Sequence, residues 1–212
     1  MERQALIGLL DACVTEFDSD GLADLVRQLR VDIAGMLKSP NDEDFKLLVQ
    51  SARLIAFSQH PEPLQDCISV LLDVAAAHIP RGKSIEAIPM VERALDLATD
   101  NGLKPELRRA SSIYALMSTD VGIPARGVEY ALKAAVLAHE LGDQMGVAAA
   151  FGNMTAALYT MGLYRETISV ALRLIKRFKA DARCASFIAI ARTNMASAAL
   201  ALQHYSLAAE SA

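Results

Sequence analysis

Residues 148–168 read AAAFGNMTAALYTMGLYRETI, an alanine-rich helical run that breaks at Gly162 and resumes as a second amphipathic run at Tyr164. A glycine just past a periodic run marks a helix end, because it can take the left-handed backbone that closes the last turn. The same glycine recurs at Gly82 and Gly122, a spacing of 40 residues. Small residues stand seven before each glycine, at Ala75, Ala115 and Thr155, and five after, at Ala87, Gly127 and Thr167. Another step of 40 back from Ala75 reaches Gly35. Twelve after the glycines come Ala94, Ala134 and Leu174, and twenty after the first two come Gly102 and Gly142, placed to end a second helix. A further copy follows with one inserted residue, since Asn153 and Asn194, Met154 and Met195, and Tyr164 and Tyr205 are each 41 apart. Self-similarity at such a period is the signature of stacked supersecondary units.

Within a unit the apolar spacing is helical, as in Ile85, Ile88, Val91 and Leu95 beside Ala87, Ala94 and Ala98. Each unit therefore reads as a helix hairpin, with small residues where the two helices cross closely. The pattern predicts helices over Leu64–His78 with Ser84–Asn101, Pro105–Thr119 with Ala125–Leu141, and Gln144–Met161 with Tyr164–Ala180. Ala182–Leu202 opens another hairpin whose second helix is barely begun. Upstream the fit is looser: Gln4–Phe17, Gly21–Lys38 and Asp42–His60 read as helices, broken at Ser39-Pro40-Asn41 and at His60-Pro61-Glu62-Pro63. Asp42, Glu43 and Asp44 suit a helix N-terminus. The organisation is a helical region at 1–63 with one degenerate repeat, then repeats over 64–212.

Composition agrees with an all-α chain. Of 212 residues, 53% are hydrophobic and only 5% aromatic, with no Trp, which excludes disorder and a β-rich domain. Cys13, Cys67 and Cys184 lie far apart with no metal-ligand spacing, so they read as buried thiols in a reduced compartment. The opening residues are acid-rich and lack a basic n-region, and no apolar run reaches membrane-spanning length, so a cytoplasmic protein is expected. The net charge of −4 is uneven, with 9 basic and 17 acidic side chains in residues 1–100 and 12 and 8 in residues 101–212. A cluster at Arg173, Lys176, Arg177, Lys179 and Arg183 reads first as a solvated face and second as a surface for an acidic partner. An acidic whole without interleaved aromatics argues against nucleic acid.

The pattern Ala148-x-x-Phe151-x-Asn153-Met154-x-x-x-Leu158-x-x-x-Gly162-x-Tyr164-x-x-Thr167-Ile168 resembles a tetratricopeptide repeat. The copy at Ala189–Ala209 keeps Asn194, Tyr205 and Ala208 but has Gln203 at the turn glycine. Ser84 and Pro124 stand at the tyrosine position of the two earlier copies. The period of 40 resembles the longer-helix variants of bacterial sensory and regulatory proteins, as does the junction Ala138-x-Glu140-Leu141-Gly142-Asp143-x-x-Gly146. The resemblance implies a right-handed α-α superhelix of about four to five hairpins, its concave face lined by first helices and open to a peptide. Carried over onto this chain, the family's groove positions are Asp73, Arg109, Ser112, Asn153, Tyr159, Thr160, Thr193, Asn194 and Ser197. For Asn153 and Asn194 two readings stay open, contact with a peptide backbone or a hydrogen bond between neighbouring helices.

Motifs for chemistry are weak. Ala77–Ser84 ends like a phosphate loop but lacks its first glycine and its strand. His139-Glu140-x-x-Asp143 lacks the second histidine of a zinc helix, and Asp18-Ser19-Asp20-Gly21 lacks the bidentate glutamate of a calcium loop. His60, His78 and His204 fall near helix ends, where they suit the dipole or the last carbonyls. Met145, Met154, Met161 and Met195 read first as core and second as an adaptable binding surface. No catalytic set, metal site or cofactor is expected, so the chain reads as a non-catalytic interaction or sensing module that takes a protein or peptide. The chain stops shortly after Tyr205 without a capping helix, which suggests the N-terminal regulatory part of a longer bacterial signalling protein. The alternative is a homo-oligomerisation element for a C-terminal diguanylate cyclase or DNA-binding regulator, motivated by a mean hydropathy of +0.26.

Overall fold

The computed structural model describes residues 7–8, 19–38, 42–59 and 61–211, and those residues form helices and turns with no strand among them. The helices are α1 (Ser19–Lys38), α2 (Asp42–Phe57), α3 (Leu64–His78), α4 (Ser84–Asp100), α5 (Lys104–Asp120), α6 (Pro124–Glu140), α7 (Gln144–Thr160), α8 (Tyr164–Phe178), α9 (Ala185–Ala201) and α10 (Tyr205–Ser211). Short 3-10 turns occupy Ile79–Arg81 and Ala182–Cys184. The fold is all-helical and repeat-like. Cys13, His60, Asp18, the break at Pro40-Asn41 and nearly all of the helix expected over 4–17 lie outside the described residues.

The joints explain the glycine period. Gly82, Gly102, Gly122, Gly142 and Gly162 have φ between 65° and 79°, and Gln203 alone among the described non-glycine residues shares that left-handed backbone, at 61°. At each, the following N–H donates to the carbonyl five residues back: Lys83 to His78 O, Leu103 to Ala98 O, Ile123 to Ser118 O, Asp143 to Ala138 O, Leu163 to Leu158 O and His204 to Ala199 O. This wraps the helix end and satisfies carbonyls that the helix leaves open. The expected helix at 182–202 is divided instead, because the Asp181 carboxylate accepts from the Arg183 N–H at 3.0 Å and sets a separate 3-10 turn before α9.

The contacts divide the chain into two units, Met1–Glu106 and Leu107–Ala212. The sequence boundary at 63/64 runs inside the first, where α3 packs on α1, α2 and α4. The first unit is centred on Leu25, Leu29, Leu48, Ile55, Ile68 and Leu71, all fully buried. Arg30 of α1 reaches Asp66 Oδ1 at 3.1 Å, Ser69 Oγ at 2.7 Å and Asp73 Oδ2 at 3.5 Å, a row on one face of α3. The second unit holds two apolar clusters, one around Ala115, Ala131, Met154 and Leu158 and one around Ala138, Val147, Leu174, Phe178 and Met195. Gly127 of α6 marks a crossing, where a Cβ would stand 3.2 Å from both Ala115 O and Ala157 Cβ.

Some core assignments are corrected. Ile85 is 73% exposed, because it sits in the first turn of α4 ahead of the crossing that buries Ala87 and Val91. Met154 and Met195 are buried, whereas Met145 and Met161 are exposed at the two ends of α7, beyond the hairpin contact. One described stretch, Ala182–Ala201, is long and apolar enough to cross a membrane, at a mean hydropathy of 1.2. It includes Arg183 and Arg192, and its α9 part packs against α7 and α8.

Candidate functional site

The groove positions of the second unit fall on α5, α7 and α9, the first helices of successive hairpins. Asn153 Nδ2 of α7 donates to Ser112 O of α5 at 3.0 Å and lies 3.3 Å from Ser112 Oγ. Asn194 Nδ2 of α9 donates to Thr155 Oγ1 of α7 at 3.0 Å. The Thr155 hydroxyl passes its own proton to Gly152 O at 2.7 Å, so its lone pairs face Asn194. At 3.6 residues per turn, Asn153 and Thr155 lie about 160° apart around α7. The two bonds therefore run through α7 as a ladder of one polarity, each asparagine donating to the helix before it. Both amides serve the inter-helix role, with Oδ1 of each accepting from no described residue.

Ser112 is brought directly to Asn153, while Arg109 precedes it by one turn and is half-buried. Ser197 is half-buried one turn after Asn194. Tyr159 departs from the set: it lies about 120° around α7 from Asn153. It is 36% exposed, with its ring 5.7 Å from that of Tyr164 across the turn. Thr160 and Thr193 turn their hydroxyls to the carbonyls of Ala156 and Ala189, four residues back on their own helices. Asp73, in the first unit, is committed to Arg30. From sequence Thr155 reads only as a small residue; its hydroxyl in a column with Ala75 and Ala115 is the signal that it also accepts a bond.

No group of three or more His, Cys, Asp or Glu side chains able to hold a metal occurs among the described residues. Cys67 and Cys184 are both fully buried. Burial, with Glu62 and Asp66 adding to it, pushes the Cys67 thiol up to about 12, far from a reactive thiolate. Burial also raises Cys184. Arg183 holds the Asp181 carboxyl below the usual range through hydrogen bonds of 3.0 and 2.7 Å.

No protein-family model and no curated protein matches the chain. Among solved structures it is similar to BtubC (BKLC) from P. vanneervenii, with a TM-score of 0.68 over 98% of this chain and 85% of that one. The identity is 13%, so the likeness is one of fold alone.

Proposed function

We propose that the chain is a non-catalytic interaction module, a tetratricopeptide-like right-handed superhelix whose concave surface takes a peptide. The observation that carries this reading is the Asn153–Ser112 and Asn194–Thr155 ladder, which aligns α5, α7 and α9 and leaves Oδ1 of both amides as acceptors. A peptide N–H laid along these helices would meet one acceptor per repeat, with Arg109, Ser112 and Ser197 beside them. The test is selection from a displayed random-peptide library on the immobilised chain. Selected peptides are expected to lose about tenfold in affinity on Arg109→Ala or Ser197→Ala, with the helicity unchanged. Recovery of no peptide above background, or of peptides indifferent to both changes, removes this reading.

A place ahead of a signalling output domain rests on the long-period resemblance. Reading the gene past Ala212 tests it, and a stop codon there ends that part of the proposal. A second reading, self-assembly, is favoured by Leu200 and Tyr205 at the α9–α10 hairpin, which are 54% and 66% exposed.

A further inference from the structure

A groove of about 440 Å³ opens along the first half of α9, lined by Lys179, Ala185, Ile188, Ala189, Arg192 and Thr193. The offset of 41 that relates Asn153 to Asn194 pairs Ile188, Ala189, Arg192 and Thr193 with Val147, Ala148, Phe151 and Gly152, and Lys179 with Ala138. One repeat earlier these positions are interior: Ala138, Val147 and Ala148 are buried with Leu174, Cys184 and Ala191, and Phe151 packs against them. What covers them includes the next first helix. Phe187 of α9 lies over Gly152, with its Cβ 3.8 Å from where a Gly152 Cβ would stand. On α9 the corresponding surface is exposed, apart from the half-buried Ile188.

The groove departs from the repeat in chemistry as well as cover. Lysine and arginine stand at 179 and 192 where the interior copy has Ala138 and Phe151, and threonine stands at 193 in place of Gly152. The Lys179 and Arg192 side chains form no hydrogen bond or ion pair with any described residue. The groove's carboxylate, Asp181, is already held by Arg183. Its floor is small, since Ala185 and Ala189 are one turn apart, which lets a second helix approach at the short end of the usual spacing. We propose that this surface docks an amphipathic helix with an acidic flank on a partner protein, laid across α9 as α9 is laid across α7. The alanines and Ile188 take its apolar face, while Lys179 and Arg192 take its carboxylates and supply the choice of partner. The site stands independently of the concave-surface reading.

The probe is a fluorescent peptide with the sequence of residues 182–197, stapled to hold it helical because short isolated helices are marginal. One version carries Arg183→Glu, Ser186→Glu and Arg192→Glu, and the other keeps the basic sequence. The acidic peptide is expected to bind saturably by anisotropy, about tenfold tighter than the basic one, and to weaken as salt rises. In the protein, Lys179→Glu with Arg192→Glu is expected to reverse the preference. Should that variant lose helicity, Lys179→Gln with Arg192→Gln reads the same loss of selectivity. Asn153→Ala is expected to leave the acidic peptide's affinity unchanged. Saturable binding of neither peptide, equal binding of both, or a loss in step with Asn153→Ala overturns the proposal.

Discussion

An imidazole sealed from water is costly to charge, and His78 at the end of α3 is sealed completely. Nδ1–H donates to Val74 O at 2.8 Å, the ring centroid lies 4.9 Å from that of Phe45, and Nε2 finds no partner. Burial lowers the pKa below 6.5; the Val74 bond and Glu86 oppose it, while Lys83 and Arg81 add to it. The folded protein thus holds His78 neutral while the unfolded chain takes a proton from about pH 6.5 downward. Stability is full above that pH and is lost as pH falls from there through the folded value. Urea unfolding between pH 7.5 and pH 5 should show this decline, flattened in His78→Phe; an equal slope in both proteins would assign it elsewhere. The sequence places His78 at a helix end, where it suits the dipole or the last carbonyls; the structure gives it a carbonyl, Val74 O, and a neutral ring does not serve the dipole. The sequence does not reveal the lid of Phe45, which comes from a helix 33 positions earlier in the chain.

Among elements, the close crossings are where sequence and packing meet. At Gly127 three helices converge, with α5 and α7 both 3.2 Å from where a side chain would begin. Gly127→Val should cost about 2 kcal/mol by overpacking, read as a lower urea midpoint with an unchanged slope. An unchanged midpoint would show that the crossing yields. The hairpins were legible because their punctuation is chemically narrow: glycine takes a left-handed joint far more cheaply than other residues. Helix ends follow to within a residue or two from Leu64 to Met161. The split at Ala182–Cys184 was not legible, because the Asp181 cap competes with an unbroken apolar helical period and wins locally. The candidate site was legible as a recurrence of asparagines and not as a ladder. Which group receives each amide depends on how far one hairpin slides on the next, a quantity that no window of sequence contains.

At the scale of the whole molecule, charge and apolar exposure make different demands. If the concave surface serves a peptide, the chain should stay monomeric over a wide concentration range in light scattering. A dimer that persists in high salt and disperses on Leu200→Ser would establish self-assembly through the α9–α10 hairpin, since apolar contacts resist screening and ion pairs do not. A dimer lost in salt would instead join the −8 half of one copy to the +4 half of another. The left-handed joints carry a further consequence for how such a chain is inherited. Gly82, Gly122 and Gly162 are closed by the same pair of backbone bonds, to residues three and, from the next N–H, five positions back. A gene duplication that opens in one joint and closes in another inserts a hairpin already fitted at both seams, so the protein can lengthen or shorten by whole hairpins while its stitching stays the same.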